Sequence, residues 1–255
     1  MNNTFENQVA IITGSTGIAA ATAHALANAG AKLAVIGRSD DNIEQLRKEI
    51  PNILPIAIDL VKPDAAKEVV TRTLEHFGRL DVLVNIAGIS GRKFGDGPVH
   101  EASDEGWDTV MSTNVKTTFT MCREALEPMM RQQSGSIINM ASVLAYSPNK
   151  DFFATHAYAA CNGARISLTK AMAGYYARYG IRVNAVAPGL IATPMSTRAQ
   201  TDPEILEYMK IKQPITGTLG ESEDVAQAIL YLASPAAKFV TGVILEIAGG
   251  WSVTG

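Results

Sequence analysis

Val9-Ala10-Ile11-Ile12-Thr13-Gly14-Ser15-Thr16-Gly17-Ile18-Ala19 is an apolar run, a turn carrying two glycines, and the start of an alanine-rich stretch that continues to Ala29. The run to Thr13 reads as a strand buried on both faces, and residues 18–29 read as a helix. A glycine turn between a strand and a helix N-terminus lets backbone N–H groups approach a phosphate. A tight turn with no ligand would use glycines too, so the rest of the chain has to decide.

The same grammar recurs to the end. Strands are predicted over 33–36, 53–58, 82–86, 136–140, 181–186 and 243–247, and helices over 43–50, 65–77, 107–130, 156–178 and 225–232. Strict alternation of this kind predicts an α/β fold, a Rossmann-type doubly wound parallel sheet of about seven strands with helices on both faces. No linker, repeat or shift in composition divides the chain, so a single domain is expected over 1–255. Two connections, 89–103 and 188–203, exceed the usual few residues. Long connections at the carboxyl ends of the strands usually carry function, and 188–215 is the expected substrate lid.

Composition narrows the classes. Apolar residues make up 47% of the chain, yet aromatics are only 6%, so Ala, Ile, Leu and Val must build the core. That suits helices packed closely on a parallel sheet. A net charge of −3 offers no basic face for nucleic acid. The polar first residues lack the pattern of a signal peptide, and no apolar run approaches the ~20 residues of a membrane helix. The expectation is a soluble cytoplasmic protein with no nucleic-acid or membrane partner. Cys122, Cys161 and the four histidines show no metal-ligand spacing, and the cysteines read as buried thiols.

The chemistry-bearing residues lie in the second half. The predicted strand ending Asn139-Met140-Ala141 delivers Ser142 to the ligand end of the sheet, and Tyr158-Ala159-Ala160-Cys161-Asn162 opens a long helix. Residues four apart share a helix face, so Tyr158 and Asn162 meet the same ligand. With Asn114 on the preceding helix, this set resembles the catalytic group of the short-chain dehydrogenase/reductase family. The resemblance runs from Val9 to Gly250. It implies an oxidoreductase that interconverts a small alcohol and carbonyl, with Tyr158 as acid/base, Ser142 holding the substrate oxygen and Asn114 anchoring a water relay.

The resemblance also assigns a cofactor site. Gly14, Ser15, Thr16, Gly17 and Ile18 match the phosphate loop, one residue shorter than the family's and with Ala19 where its last glycine stands. Asp59 and Leu60 resemble the adenine contact, and Asn85, Ala87 and Gly88 the turn whose backbone borders the adenosine ribose. Pro188, Gly189, Ile191 and Thr193 match the segment along the nicotinamide. Family members that select NAD carry an acid near Gly37. Here Arg38 follows instead and could grip a 2′-phosphate, which points to NADP(H), with NAD(H) left open. The long helices over 107–130 and 156–178 are surfaces through which the family forms homo-oligomers, dimers or tetramers.

One departure is chemical. Where the family has a lysine, this chain has Asn162. A cation ~4–5 Å from a phenol, at an effective dielectric of ~20, is worth roughly 3–4 kcal/mol. That corresponds to about 2–3 pH units below the tyrosine reference of about 10. Without it alcohol oxidation, which needs the phenolate, suffers most, while carbonyl reduction starts from the available phenol. The alternative is a non-catalytic dinucleotide-binding or scaffold protein that keeps the fold. A literal Tyr-x-x-x-Lys at Tyr146 to Lys150 is rejected, because Pro148 breaks the helix it would need. Lys150 could still swing in from its loop to supply the charge.

Overall fold

The computed structural model describes residues 4–254. Seven strands form one parallel sheet: β1 (Val9–Thr13), β2 (Lys32–Gly37), β3 (Leu54–Ala57), β4 (Val82–Asn85), β5 (Gly135–Met140), β6 (Ile181–Pro188) and β7 (Ile244–Ile247). Their order is β3-β2-β1-β4-β5-β6-β7, which reverses direction between β1 and β4. The crevice at such a reversal, beyond the carboxyl ends of the strands, is where open α/β sheets bind ligands. The predicted doubly wound fold is therefore the observed one.

The interior strands are apolar on both faces because helices cover both. On one side lie α1 (Ile18–Asn28), α2 (Asp40–Glu49) and α9 (Ser222–Ala233), contributing Ala23, Leu26, Leu46, Ile229 and Leu232 to the core. On the other lie α3 (Ala65–Phe77), α5 (Thr117–Gln132) and α6 (His156–Tyr176), contributing Val69, Met121, Ala125 and Met172. Phe152, Phe153, Tyr208 and Trp251 pack at tilted angles in a separate, smaller cluster.

Two expectations change. The helix predicted over 107–130 begins earlier, as α4 (Asp104–Val110), and continues through a π-helical turn (Met111–Lys116) into α5. Ser103 starts it by accepting the Gly106 amide, a serine cap that periodicity of apolar residues does not register. The π turn widens the helix at Asn114, a distortion common at functional sites. The connection read as a loop over 188–203 carries α7 (Thr197–Thr201), with α8 (Pro203–Lys212) behind it. Asp202 accepts the Glu204 and Ile205 amides, and Pro203 occupies the first turn, where its missing N–H costs nothing.

Gly106 shows how tightly the loop before α4 is packed. A Cβ there would sit 2.6–2.8 Å from the backbone of Gly95 and Asp96. Gly106→Ala therefore lowers stability by about 1–3 kcal/mol through overpacking, although alanine favours helices. Urea unfolding of the variant checks this, and a stabilised variant would contradict the packing.

Candidate active site

The glycine turn is held from two sides. Gly14 donates to Ile36 of β2 at 2.7 Å, and a Cβ on Gly14 would lie 3.0 Å from that of Ala19. The shortened loop thus folds flat against the start of α1. The amides of Ser15, Thr16 and Gly17 make no hydrogen bond to any described residue. Three free N–H groups beside a helix N-terminus form a place that fits a pyrophosphate. At the end of β2, a Cβ on Gly37 would come 2.6 Å from Ser15 Oγ, so the serine fills the space an acidic side chain would need. Arg38 follows, exposed and without an ion pair among the described residues. Asp59 accepts the Val61 amide at 3.1 Å and so shapes its own turn, with Leu60 half-buried beside it.

The turn after β4 is pinned by Thr13, whose Oγ1 accepts the amides of Ile86 and Ala87 at 2.9 and 3.1 Å. The Asn85 side chain turns into the core, 2% exposed, and donates to Asn139 Oδ1 at 2.9 Å. Asn139 in turn donates to Thr169 Oγ1, and Thr169 to the Arg165 carbonyl, so a buried polar chain ties β4 and β5 to α6. Only the backbone of the 85–88 turn is left to face a ligand.

The N-terminus of α6 is set by a residue far away in sequence. Asp96 is buried, and its two carboxylate oxygens accept the amides of Ala157 and Tyr158, each at 2.9 Å. Thr155, at the cap position, makes no such bond. Gly97 and Val99 hold His156 as well, through a backbone bond and through Nδ1. The connection over 89–103 therefore clamps the helix that carries the tyrosine. Nothing local in the sequence marks Asp96 as this cap.

Ser142, Tyr158 and Asn162 come together as expected. Ser142 Oγ accepts the Leu144 amide at 3.2 Å, which leaves its own proton for a ligand. Tyr158 keeps part of its surface open, but the protein around its phenol is dense. Burial, the largest effect, pushes its pKa up, while Arg165, Asn162 and Ser142 pull the other way. Asn162 is fully buried; its Nδ2 donates to the Tyr158 carbonyl at 2.9 Å, and its Oδ1 has no partner. A buried acceptor left unpaired costs about 1–3 kcal/mol, so Oδ1 fits a donor brought by a ligand, such as a ribose hydroxyl.

Asn114 Oδ1 accepts the Ile89 amide, and its Nδ2 donates to the Ile89 carbonyl and to Cys161 Sγ. Its own carbonyl takes Arg165 Nε and the Thr118 hydroxyl. Asn114 thus clamps the loop after β4, with its polar atoms engaged inside the protein. Tyr146 is excluded as the acid/base, since its phenol donates to Glu246 and is pushed up by burial and that carboxylate. Lys150 is exposed, and no hydrogen bond or ion pair joins it to the site. Both thiols are buried and weakly acidic; burial pushes Cys122 up to about 12.

Pro188 to Thr193 lie beyond the end of β6. Gln213, 2% exposed, accepts the Leu190 amide at 2.6 Å and donates to the Leu190 carbonyl at 3.2 Å, acting as a neighbouring strand would. A Cβ on Gly189 would collide with this amide at 2.5 Å. Ile191 is buried, and Thr193 lies against the glycine turn, 3.1 Å from a Cβ placed on Gly17. At the rim, Arg92 and Arg198 both donate to the Phe152 carbonyl at 3.0 Å, so two guanidinium groups converge from different connections. A surface hollow of about 610 Å³ beside Phe5, Ala25 and Tyr231 lies at the other end of α1 and α9 and holds none of these groups.

Asp96→Ala removes the cap from α6, and stability is expected to fall by about 1–2 kcal/mol. Asp96→Asn keeps one acceptor oxygen and loses less. Urea midpoints of the two variants check this, and wild-type stability in Asp96→Ala would show that the clamp is not needed.

Comparison with known proteins agrees with this geometry. Residues 12–252 match the family model described as enoyl-(acyl carrier protein) reductase. The chain is 36% identical over 250 residues to the 3-oxoacyl-(acyl-carrier-protein) reductase FabG of Thermotoga maritima, covering 96% of this chain and 98% of that one. It is 37% identical to the cis-4-hydroxycyclohexanecarboxylate dehydrogenase of Sinomonas cyclohexanicum, covering 99% of both chains. The structure of a short-chain type dehydrogenase/reductase from Mycobacterium ulcerans superposes with a TM-score of 0.90 at 27% identity, covering 98% of this chain and 91% of that one. Family model, relatives and fold agree: the chain belongs to the short-chain dehydrogenase/reductase family of NAD(P)-dependent oxidoreductases.

Proposed function

We propose that this protein works chiefly as a carbonyl reductase, with Tyr158 as the proton donor. The observation that carries the reading is the phenol of Tyr158, held toward its neutral form by burial beside Ser142 and Asn162. A bound nicotinamide dinucleotide would supply the hydride to the carbonyl carbon. Ser142 donates a hydrogen bond to the carbonyl oxygen, keeping its proton, and fixes the position of that oxygen. Tyr158 then gives its proton to that oxygen, and the phenolate left behind is reprotonated from the cleft. Alcohol oxidation runs these steps in reverse and needs the phenolate first, which burial makes scarce at neutral pH.

For the cofactor we favour NADP(H). Free amides of the glycine turn suit a pyrophosphate, and Arg38 is an unpaired cation where an NAD-selecting acid is missing and where Ser15 leaves no room for one. For the substrate, Arg92 and Arg198 favour a carbonyl compound that bears an anionic group away from the reacting carbon. Relatives named for a hydroxycyclohexanecarboxylate and for hydroxypropyl-CoM make such compounds sensible first probes. The competing reading, a dinucleotide-binding protein without chemistry, rests on the shortened glycine loop and the exchange at position 162.

Two experiments test this. With NADPH and a panel of keto acids and 3-oxoacyl thioesters, reduction is expected to hold steady from about pH 6 to about 9, because the donor stays protonated. Alcohol oxidation over the same range should climb about tenfold per pH unit, as the phenolate fraction grows. Tyr158→Phe should lower both by about 10²–10⁴-fold. A thermal shift with dinucleotide but no turnover of any carbonyl would select the binding-protein reading. In the second, Arg38→Asp should weaken NADPH binding by about tenfold to a hundredfold and favour NADH. Unchanged preference in that variant would remove Arg38 from cofactor selection.

A further inference from the structure

Arg165 lies on α6, seven residues after Tyr158 and three after Asn162, in a stretch whose pattern is otherwise that of a core-facing helix. It is 3% exposed. Nε donates to the Asn114 carbonyl at 2.9 Å and to Thr118 Oγ1 at 3.0 Å, and one terminal nitrogen donates to the Ala87 carbonyl at 2.8 Å. These partners are all neutral, and among the described residues no carboxylate pairs with the guanidinium. The other terminal nitrogen makes no hydrogen bond and lies 3.6 Å from where a Cβ on Gly88 would sit, behind the turn that borders the crevice.

A buried cation without a counter-ion is costly, and these neutral partners use its donors and not its charge. The charge is thus left to act on a neighbouring acid. Tyr158 stands seven residues back on the same face of α6, and with the Cys161 and Cys122 thiols it is one of the acidic groups that feel the charge. After burial and Cys161, Arg165 has the largest influence on its pKa, larger than Asn162 or Ser142, and it acts downward.

We infer that Arg165 supplies the positive charge of the proton-transfer site: the duties of the family's single lysine are divided here between Asn162, which keeps the polar contact, and Arg165, which keeps the charge almost one turn further along α6. The proposal rests on the reading of Tyr158 as the proton donor. Arg165 touches neither substrate nor reacting atoms in this scheme. It is a positioning residue that acts through the phenol.

The test moves the charge back. Ionisation of Tyr158 is followed in the protein without cofactor, as the tyrosinate absorbance that Tyr158→Phe removes, and alcohol oxidation is measured in parallel at fixed pH. Arg165→Met should delay the ionisation by about one pH unit or more and slow oxidation about tenfold. Arg165→Met/Asn162→Lys should recover both. Asn162→Lys alone should change oxidation less than about threefold, because the charge is already present. Unchanged Tyr158 ionisation in a folded Arg165→Met protein would overturn the proposal. So would an Asn162→Lys gain as large in the wild type as in the Arg165→Met background. If Arg165→Met does not fold, Asn162→Lys in the wild type decides alone: earlier ionisation with faster oxidation overturns the division of labour, and little change supports it. The ionisation readout needs no substrate, so it separates failure of this proposal from failure to find a carbonyl that is turned over.

Discussion

The Arg165 guanidinium bonds to the three places the site is built from. Its donors reach the Ala87 carbonyl just beyond β4, the Asn114 carbonyl in the π turn and the Thr118 hydroxyl at the start of α5, while its own helix carries Tyr158 and Asn162. One planar fork with several donors can join carbonyls on separate elements in a way that an ammonium or a single hydroxyl cannot. The π turn is part of the same arrangement, because widening the helix at Asn114 is what leaves its carbonyl accessible to a side chain from α6. At the other end of the relevant stretch, Asp96 holds the first amides of α6 with a negative charge. Tyr158 thus lies between a carboxylate on the helix N-terminus and a cation two turns further in, and both are buried.

Most of the scaffold was legible because it is written in local pattern. Runs such as Val82-Leu83-Val84 are apolar on both sides, and that alone implies helices above and below. Ser142 and Tyr158 were legible because a strand end and a helix start place them. The parts that were not legible depend on contacts across the chain. Asp96 looks like an ordinary loop acid until the fold brings it, 61 residues away, to the Ala157 amide. Gln213 looks like the polar end of a helix, and only the fold shows it pairing with Leu190 like an extra strand. Arg165 sits within an apolar pattern, and the eye passes over it as a tolerated charge.

Asn85 and Asn114 turn on a related distinction. A motif gives the position of a residue, and the direction of its side chain depends on what surrounds it. Asn85 faces the core because Asn139 and Cys122 offer it partners there. Asn114 is consumed by Ile89, Cys161, Thr118 and Arg165, and once those bonds are made little of it is left for solvent. A guanidinium in that pocket changes what its asparagine can do.

Taken one at a time, the two departures from the family pattern look like decay: a short phosphate loop and no lysine after the tyrosine. The packing gives each a context. Ser15 of the loop stands 2.6 Å from where a Cβ on Gly37 would sit, so the loop and the end of β2 are packed as one unit. Asn162 and Arg165 share a helix and act on one phenol, so the missing lysine and the buried arginine are one electrostatic fact. Random loss would leave each gap unfilled and would not bury an arginine, with its desolvation cost, beside the group that lacks a cation. The compensation is uneven, though. Burial still outweighs Arg165 at Tyr158, so the compensation leaves the phenol held toward its neutral form, the form the proposed reduction starts from.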